Sequence, residues 1–427
     1  MPRRITERVD LLIKRLAMTP EYPTQGRTLF IDLETRKVQA AYTPKEVIRT
    51  FLGGRGSNMY YLANLMDTDL TPFHPDVPII FGAGTLTGLV PSASRGNVTS
   101  WSPETGTLMD SNAGDYFPSF LKLNMIDHLV LFGESAEWLL LHIREGNGGF
   151  RSAADYLGLN NIDLRAALEK DFGGKEGRDL AMAAIAEAGE RKVLSAGIMA
   201  GPKAIFARGG TGAKLGSLKI KGIVVQGFVT LYPEGFHNDR IKPTNRDIAK
   251  KVLSTSVIKN ALKVRGTPFL YKPSRILGAM GTKNNQETTW TENLDAENFD
   301  RFRTEMTGCF RCPVDCRPVN DLGDSGKGDR YDRGDGPEYV TLGKFGPNLA
   351  IGRPEEVIRL NNICNDLGLD SASAGASIAW ATELYQRGII DDRTTGGIRL
   401  EWGNAALAER LLQMTAKREG FGDILAD

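Results

Sequence analysis

The chain has 427 residues, with 53 Lys and Arg against 52 Asp and Glu, a formal net charge of +1. That balance excludes the basic excess of a nucleic-acid binder or a polybasic membrane protein. At 41% hydrophobic and 25% charged residues it reads as a folded chain of two or three domains, and no apolar run approaches the ~18 residues of a membrane span.

The N-terminus interleaves charged and apolar residues, which no signal peptide does. Ile5, Val9, Leu12 and Leu16 fall on one stripe of a helix, with Arg4, Arg8, Lys14 and Arg15 opposite. Residues 1–26 are therefore expected to form a helical extension packed on its own chain or on a partner subunit. Residues 28–33 and 37–42 read as a β-hairpin. Gly53-Gly54-Arg55-Gly56 reads as a turn into a helix holding Tyr60, Tyr61 and Leu65. Residues 77–81 and 106–110 are expected strands, and 128–132 with 138–143 a second hairpin. Strands 203–207 and 220–225 flank a glycine-rich loop. Beyond about residue 230 the pattern turns helical, over 245–262, 354–365, 373–388 and 405–417, around a polar loop at 320–336. The expected class is α+β: a β-rich domain over 27–230, then a helical domain over 231–427.

Cys309, Cys312 and Cys316 stand at C-x2-C-x3-C. That spacing lets three thiolates converge on one cuboidal iron–sulfur cluster. Zinc sites favour paired C-x2-C knuckles or histidines, and with only four histidines, none beyond His237, iron is the better reading. Such thiols suit a reduced, cytoplasmic protein better than a disulfide scaffold. Cys364, the remaining cysteine, sits in an apolar helical stretch and reads as core.

The loop from Ala207 through Arg208, Gly209, Gly210, Thr211, Gly212, Ala213, Lys214 and Leu215 to Gly216 offers backbone N–H groups and an arginine to an anion. It is neither a Walker A loop nor G-x-G-x-x-G, and a tight packing turn explains it equally well. Arg95-Gly96-Asn97 and Ser111-Asn112-Ala113-Gly114 have the same character. Together the three point to one large phosphate-bearing ligand. Glu338, in Gly336-Pro337-Glu338-Tyr339, is a candidate general base or a solvated loop carboxylate. Asp370, after Gly368-Leu369, is a candidate helix N-cap or a hydrogen-bond acceptor for a ligand.

In chain order, F-L-G-G-R-G at residues 51–56, G-x-L-T-G at 84–88, S-N-A-G at 111–114, A-R-G-G-T-G-A-K-L-G-S at 207–217, C-x2-C-x3-C, G-P-E-Y and G-L-D resemble the tungsten-containing aldehyde:ferredoxin oxidoreductase family. The resemblance covers the chain from about Leu29 onward. It implies tungsten, rather than molybdenum, held by two pterin dithiolenes whose phosphates are bridged by Mg2+. It implies that Arg95, Asn112, Gly114, Ala207, Arg208, Gly210 and Gly212 face pterins and phosphates, and that Asn365, Leu369 and Asp370 contact the second pterin. Cys309, Cys312 and Cys316 would hold a 4Fe-4S cluster, and Glu338 would lie near the metal. The implied reaction oxidises aldehydes to carboxylic acids with water, sending electrons to ferredoxin or to iron–sulfur or flavin subunits of an oligomer.

Three departures accompany the resemblance. Asn365 stands where the family motif has aspartate. The E-x-x-H iron bridge of some members is not expected. The family's third helical domain, with its fourth cluster cysteine and a histidine near the metal, is expected from a longer protein or another chain. The same-family alternative is the tungsten subunit of a benzoyl-coenzyme A reductase. The alternative from another class is a cofactor-carrying subunit inactive on its own. A nicotinamide dehydrogenase is disfavoured, because no acidic ribose ligand follows the glycine loop.

Overall fold

The computed structural model describes residues 4–228 and 238–427. It divides into two compact units: Met1–Ala249 with Cys309–Cys312, and Lys250–Gly308 with Pro313–Asp427. The expected boundary near residue 230 lies outside the described residues.

The first unit holds two six-stranded mixed sheets. In one, β1 (Arg27–Asp32), β2 (Lys37–Ala41), β3 (Ile79–Ala83), β4 (Gly96–Trp101), β5 (Leu108–Ala113) and β6 (Ile126–Phe132) lie in the order β2-β1-β6-β3-β4-β5. In the other, β7 (Leu139–Arg144), β8 (Asn147–Ser152), β9 (Leu180–Ala184), β10 (Ile198–Met199), β11 (Ile205–Phe206) and β12 (Ile220–Gln226) lie in the order β11-β10-β9-β12-β7-β8.

Alternation along the strands builds the layers. Leu29, Ile31, Phe81, Leu129 and Leu131 of the first sheet share a core with Leu139, Leu141, Ala183, Ile223 and Val225 of the second. Their neighbours Phe30, Ile80, Val130 and Phe132 face the helices Arg4–Ile13 and Gly54–Leu65. Leu140, Met182 and Val224 face Leu164, Leu168 and Phe172 of the helix Asn161–Phe172. Because both faces of the central strands are covered, they read as nearly continuous apolar runs.

The first hairpin forms as expected, with Thr28 opposite Ala41. The second does not. β6 pairs with β1 and β3, whereas β7 pairs with β8 and β12. The short link between them carries the chain from one sheet to the facing one. Two apolar runs separated by a short polar break look alike in both cases.

The N-terminal helix packs on its own chain. Ile5, Val9, Leu12 and Leu16 join Phe30, Tyr61, Leu62 and Leu65 in one apolar cluster. The Arg8 guanidinium donates to the carbonyls of Leu65 and Met66 and to Asp67, so it neutralises the carbonyl end of the helix Gly54–Leu65. Leu12 is fully buried. Leu12→Ala is expected to lower stability by about 3 kcal/mol, which a urea melt of the purified protein checks.

The second unit carries helices Tyr339–Phe345, Pro354–Leu367, Ser371–Gln386 and Ala405–Lys417, close to the expected spans. It also carries a three-stranded antiparallel sheet of β13 (Arg303–Thr307), β14 (Arg317–Asp321) and β15 (Arg333–Asp335). The expected polar loop at 320–336 is thus bracketed by strands. Its Asp329 and Asp332 meet the largely buried Arg359, which also binds Glu409. The helix expected over 245–262 is instead Asn238–Ser254 followed by a π-helical turn at Ile258–Leu262. Among the described residues no helix is long and apolar enough to cross a membrane.

Candidate metal and cofactor site

β4 and β5 form a hairpin in which Gly96 pairs with Ala113 and Asn97 with Asn112. Arg95 and Gly114 therefore flank its open end. Arg95 and Asn112 are exposed, whereas Gly114 is buried. A Cβ on Gly114 would lie 2.8 Å from Cys309 Sγ and 4.0 Å from Arg95 Cγ. Only a residue without a side chain lets that sulfur rest on the strand end.

Phe310 anchors the cysteine loop there. Its N–H donates to the Asp115 carbonyl at 3.2 Å, its ring meets Phe120 edge-on with centroids 5.8 Å apart, and it packs against the inter-sheet core. A tight turn, Cys312 N–H to Cys309 carbonyl at 3.0 Å, links the first two cysteines. Cys316 belongs to the second unit, after Val314. All three thiols are half-buried and outside any disulfide. Among the described residues no three His, Cys, Asp or Glu side chains already converge as ion ligands. The soft sulfur donors, their spacing and the glycine that clears Cys309 fit an iron–sulfur cluster.

The glycine loop has a different logic. The helix Thr211–Ser217 begins after Gly210, which has φ +71. A Cβ on Gly212 would lie 2.5 Å from the Gly197 carbonyl oxygen, and one on Gly216 would lie 2.0 Å from that of Gly189. These glycines let the helix lie directly on backbone. Gly209 and Gly210 press against Met109 and Pro103, and the Gly209 N–H donates to Glu104 at 2.7 Å. The packing-turn explanation thus accounts for Gly210 and Gly212. Lys214 is fully buried and donates to the His74 carbonyl at 3.1 Å; burial pushes its pKa down to about 7. Exposed Arg208 and half-buried Ala207 lie beside the turned end of the β4–β5 hairpin. Arg95 and Gly114 lie at the other end, one six-residue strand or about 17 Å away. The structure thus brings the three predicted segments onto one hairpin, at opposite ends.

In the second unit, Glu338 immediately precedes the helix Tyr339–Phe345. Its carboxylate accepts from the Thr267 hydroxyl, which in turn accepts from the Tyr339 N–H at 2.9 Å. Thr267 holds this carboxylate, and no local motif singled it out. Gly368, with φ +67, ends the helix Pro354–Leu367, Leu369 buries itself, and Asp370 caps the next helix by accepting from Ala372 N–H at 3.0 Å. G-L-D is thus a helix–helix joint. Asn365 donates to the Asp335 carbonyl at 3.3 Å. Cys364 is buried, its sulfur 3.2 Å from the Leu369 carbonyl, and burial pushes its thiol well up, as a core residue requires.

Beneath Asn112 lies a buried polar network that the sequence did not reveal. Asn97 donates to Asn112 Oδ1 at 3.2 Å and to Asp110, and Asp110 pairs with Arg55 at 2.6 Å. Asn58 Nδ2 faces Asn97 and Thr99 at 3.1 and 3.2 Å, while its Oδ1 lies 2.8 Å from His128 Nδ1. With its amide hydrogens committed, Asn58 accepts, so His128 donates through Nδ1, while its buried Nε2 meets no hydrogen-bond partner among the described residues, as suits a neutral ring. Complete burial pushes the His128 pKa down to about 4. The unfolded chain takes up this proton near pH 6.5 and the folded protein only near 4. Stability is therefore expected to fall as pH drops through that window, by up to about 3 kcal/mol. His128→Gln should flatten this part of a stability-versus-pH curve measured by urea denaturation.

Comparison with known proteins agrees with this architecture. A family model described as the aldehyde ferredoxin oxidoreductase N-terminal domain matches residues 28–227, and one for domains 2 and 3 of the same enzyme matches residues 244–427. The chain is 31% identical over 411 residues to the tungsten-containing aldehyde ferredoxin oxidoreductase of Pyrococcus furiosus, covering 95% of this chain and 66% of that protein. It is 28% identical over 426 residues to an aliphatic sulfonate oxidoreductase WOR-like subunit of the same organism, with the same two coverages. A solved structure, the active-site complex BamBC of benzoyl-coenzyme A reductase with 1,5-dienoyl-CoA, superposes with a TM-score of 0.79 at 25% identity, covering 94% of this chain and 62% of that one. The chain spans 66% of the length of these curated relatives. With both family models matched in tandem and the α+β fold shared, the chain belongs to the aldehyde ferredoxin oxidoreductase family.

Proposed function

We propose that this protein is a tungsten–bis-pterin oxidoreductase subunit that oxidises aldehydes to carboxylic acids with water. In that reaction an aldehyde and one water yield the acid, two protons and two electrons. When bound, the tungsten centre supplies the two-electron acceptor and the iron–sulfur cluster a one-electron path outward. The observation that carries the reading is the cysteine loop seated on Gly114, with Arg95 beside it.

In this reading Cys309, Cys312 and Cys316 hold a four-iron cluster. Arg95 and Arg208 offer guanidinium groups to pterin phosphates, and Asn112 offers an amide oxygen to the ring or to a bridging Mg2+. Ala207, Gly210 and Gly212 contribute backbone groups. Asn365, Leu369 and Asp370 are the second unit's contacts to the second pterin. Glu338, oriented by Thr267, takes the proton that water releases on attacking the aldehyde carbon. The electrons leave to ferredoxin or to an electron-transfer subunit of an oligomer. Reduced thiols on iron suit a cytoplasmic setting.

Metal analysis of the anaerobically purified protein tests the proposal. Tungsten with about four irons per chain and aldehyde-dependent reduction of ferredoxin are the expected results, and zinc alone would overturn it. The fold shared with a benzoyl-coenzyme A reductase subunit favours one second reading, ring reduction of an aromatic thioester. Benzoyl-coenzyme A turnover without aldehyde turnover would establish that reading instead.

A further inference from the structure

The loop between β3 and β4 does more than connect strands. Its segment 88–93 closes on itself, with Gly88 N–H donating to the Ala93 carbonyl at 2.6 Å and Ala93 N–H to the Val90 carbonyl at 3.2 Å. Gly88, at φ +73, lets it lie against Ser119, where a Cβ would come within 3.1 Å of that side chain. From outside, Asn245 donates to the Leu89 carbonyl at 3.1 Å. The loop also grips the cysteine turn. Arg311 donates to the Gly88 carbonyl at 3.1 Å, and the Ser92 N–H donates to the Arg311 carbonyl at 3.4 Å. Ser92 and Arg311 both hold left-handed backbone, at φ +65 and +53, a conformation that non-glycine residues keep only where their surroundings fix it. This double clamp leaves Ser92 Oγ 3.6 Å from Cys312 Sγ.

We propose that Ser92 is a positioning residue whose hydroxyl donates to the Cys312 thiolate and thereby raises the reduction potential of the iron–sulfur cluster. The inference rests on the cluster assigned to Cys309, Cys312 and Cys316 above. A free thiol at this distance donates to the hydroxyl. A thiolate bound to iron has no proton, so the hydroxyl turns and donates to sulfur. Reduction adds negative charge that spreads onto the cysteine sulfurs. A hydrogen bond to sulfur is therefore stronger in the reduced state, and the potential rises.

The test compares Ser92→Ala and Ser92→Gly with the unsubstituted protein, each purified anaerobically with its iron and titrated under electron paramagnetic resonance. Glycine removes the hydroxyl while easing the left-handed backbone, so it separates loss of the hydrogen bond from loss of the turn. Both variants are expected to keep their iron and to shift the midpoint downward, by about a threefold to tenfold change in the reduced-to-oxidised ratio at fixed potential, or ~30–60 mV for one electron. An unchanged midpoint in both variants, with iron retained, would overturn the role of Ser92 and leave the cluster assignment standing. Loss of iron from the glycine variant would also overturn it, by making Ser92 a residue of cluster retention. Unsubstituted protein without iron or a paramagnetic signal would remove the cluster itself.

Discussion

A Gly114→Ala protein is expected to purify folded and depleted of iron. Gly114 does not occupy a left-handed conformation, so alanine imposes no backbone strain. The added methyl meets one obstacle, Cys309 Sγ at 2.8 Å. In the protein without metal that sulfur ends a rotatable side chain and can swing away, so the melting temperature should barely move. Once Cys309 is committed to iron it has no such freedom, and the methyl and the cluster compete for one space. A tenfold or greater loss of iron affinity, ~1.4 kcal/mol or more, follows. Iron per chain measured beside a thermal melt checks this. Full iron in the variant would show that Cys309 binds nothing on that side.

Gly216→Ala should show the opposite profile, a destabilised fold, because its obstacle is main chain. The new Cβ would stand 2.0 Å from the Gly189 carbonyl oxygen and 2.9 Å from its carbon, and neither can rotate away. The helix Thr211–Ser217 must lift from the segment beneath it, at a cost of about 3 kcal/mol or more. Gly158→Ala is the control: it has φ +74 and nothing within 4 Å, so only backbone strain of about 1 kcal/mol is expected. Urea midpoints with unchanged slopes measure both. Equal, small losses would mean that Gly216 is not held against the Gly189 carbonyl.

The sequence was legible wherever one local rule governed. The hairpin of β1 and β2, the amphipathic N-terminal helix and the helices after residue 350 follow from periodicity alone. β4, with the sequence GNVTSW, escaped notice because its side chains are polar on a face covered by Asn58 and the helix Gly54–Leu65. The link from β6 to β7 misled because loop length does not encode which sheet a strand joins. The cysteine spacing is legible as a metal-binding pattern, yet nothing local showed that Phe310 plugs into the first unit's core. Asn97 beneath Asn112, and Thr267 on Glu338 across 71 positions of chain, become visible only when tertiary structure brings distant residues together. Conversely, the structure shows the packing turn at Gly212 and the helix N-cap at Asp370 that their residues alone allow, beside the ligand contacts that the family resemblance implies.

The return of Cys309–Cys312 to the first unit sets a schedule for biosynthesis. That unit is otherwise complete at Ala249, and its final piece emerges only after residues 250–308 have been made. At about 5–20 residues per second, ribosomes leave the socket around Phe120 waiting several seconds for Phe310. During that interval the nascent chain carries an open apolar notch, and the three clustered cysteines are all present only once translation has passed Cys316.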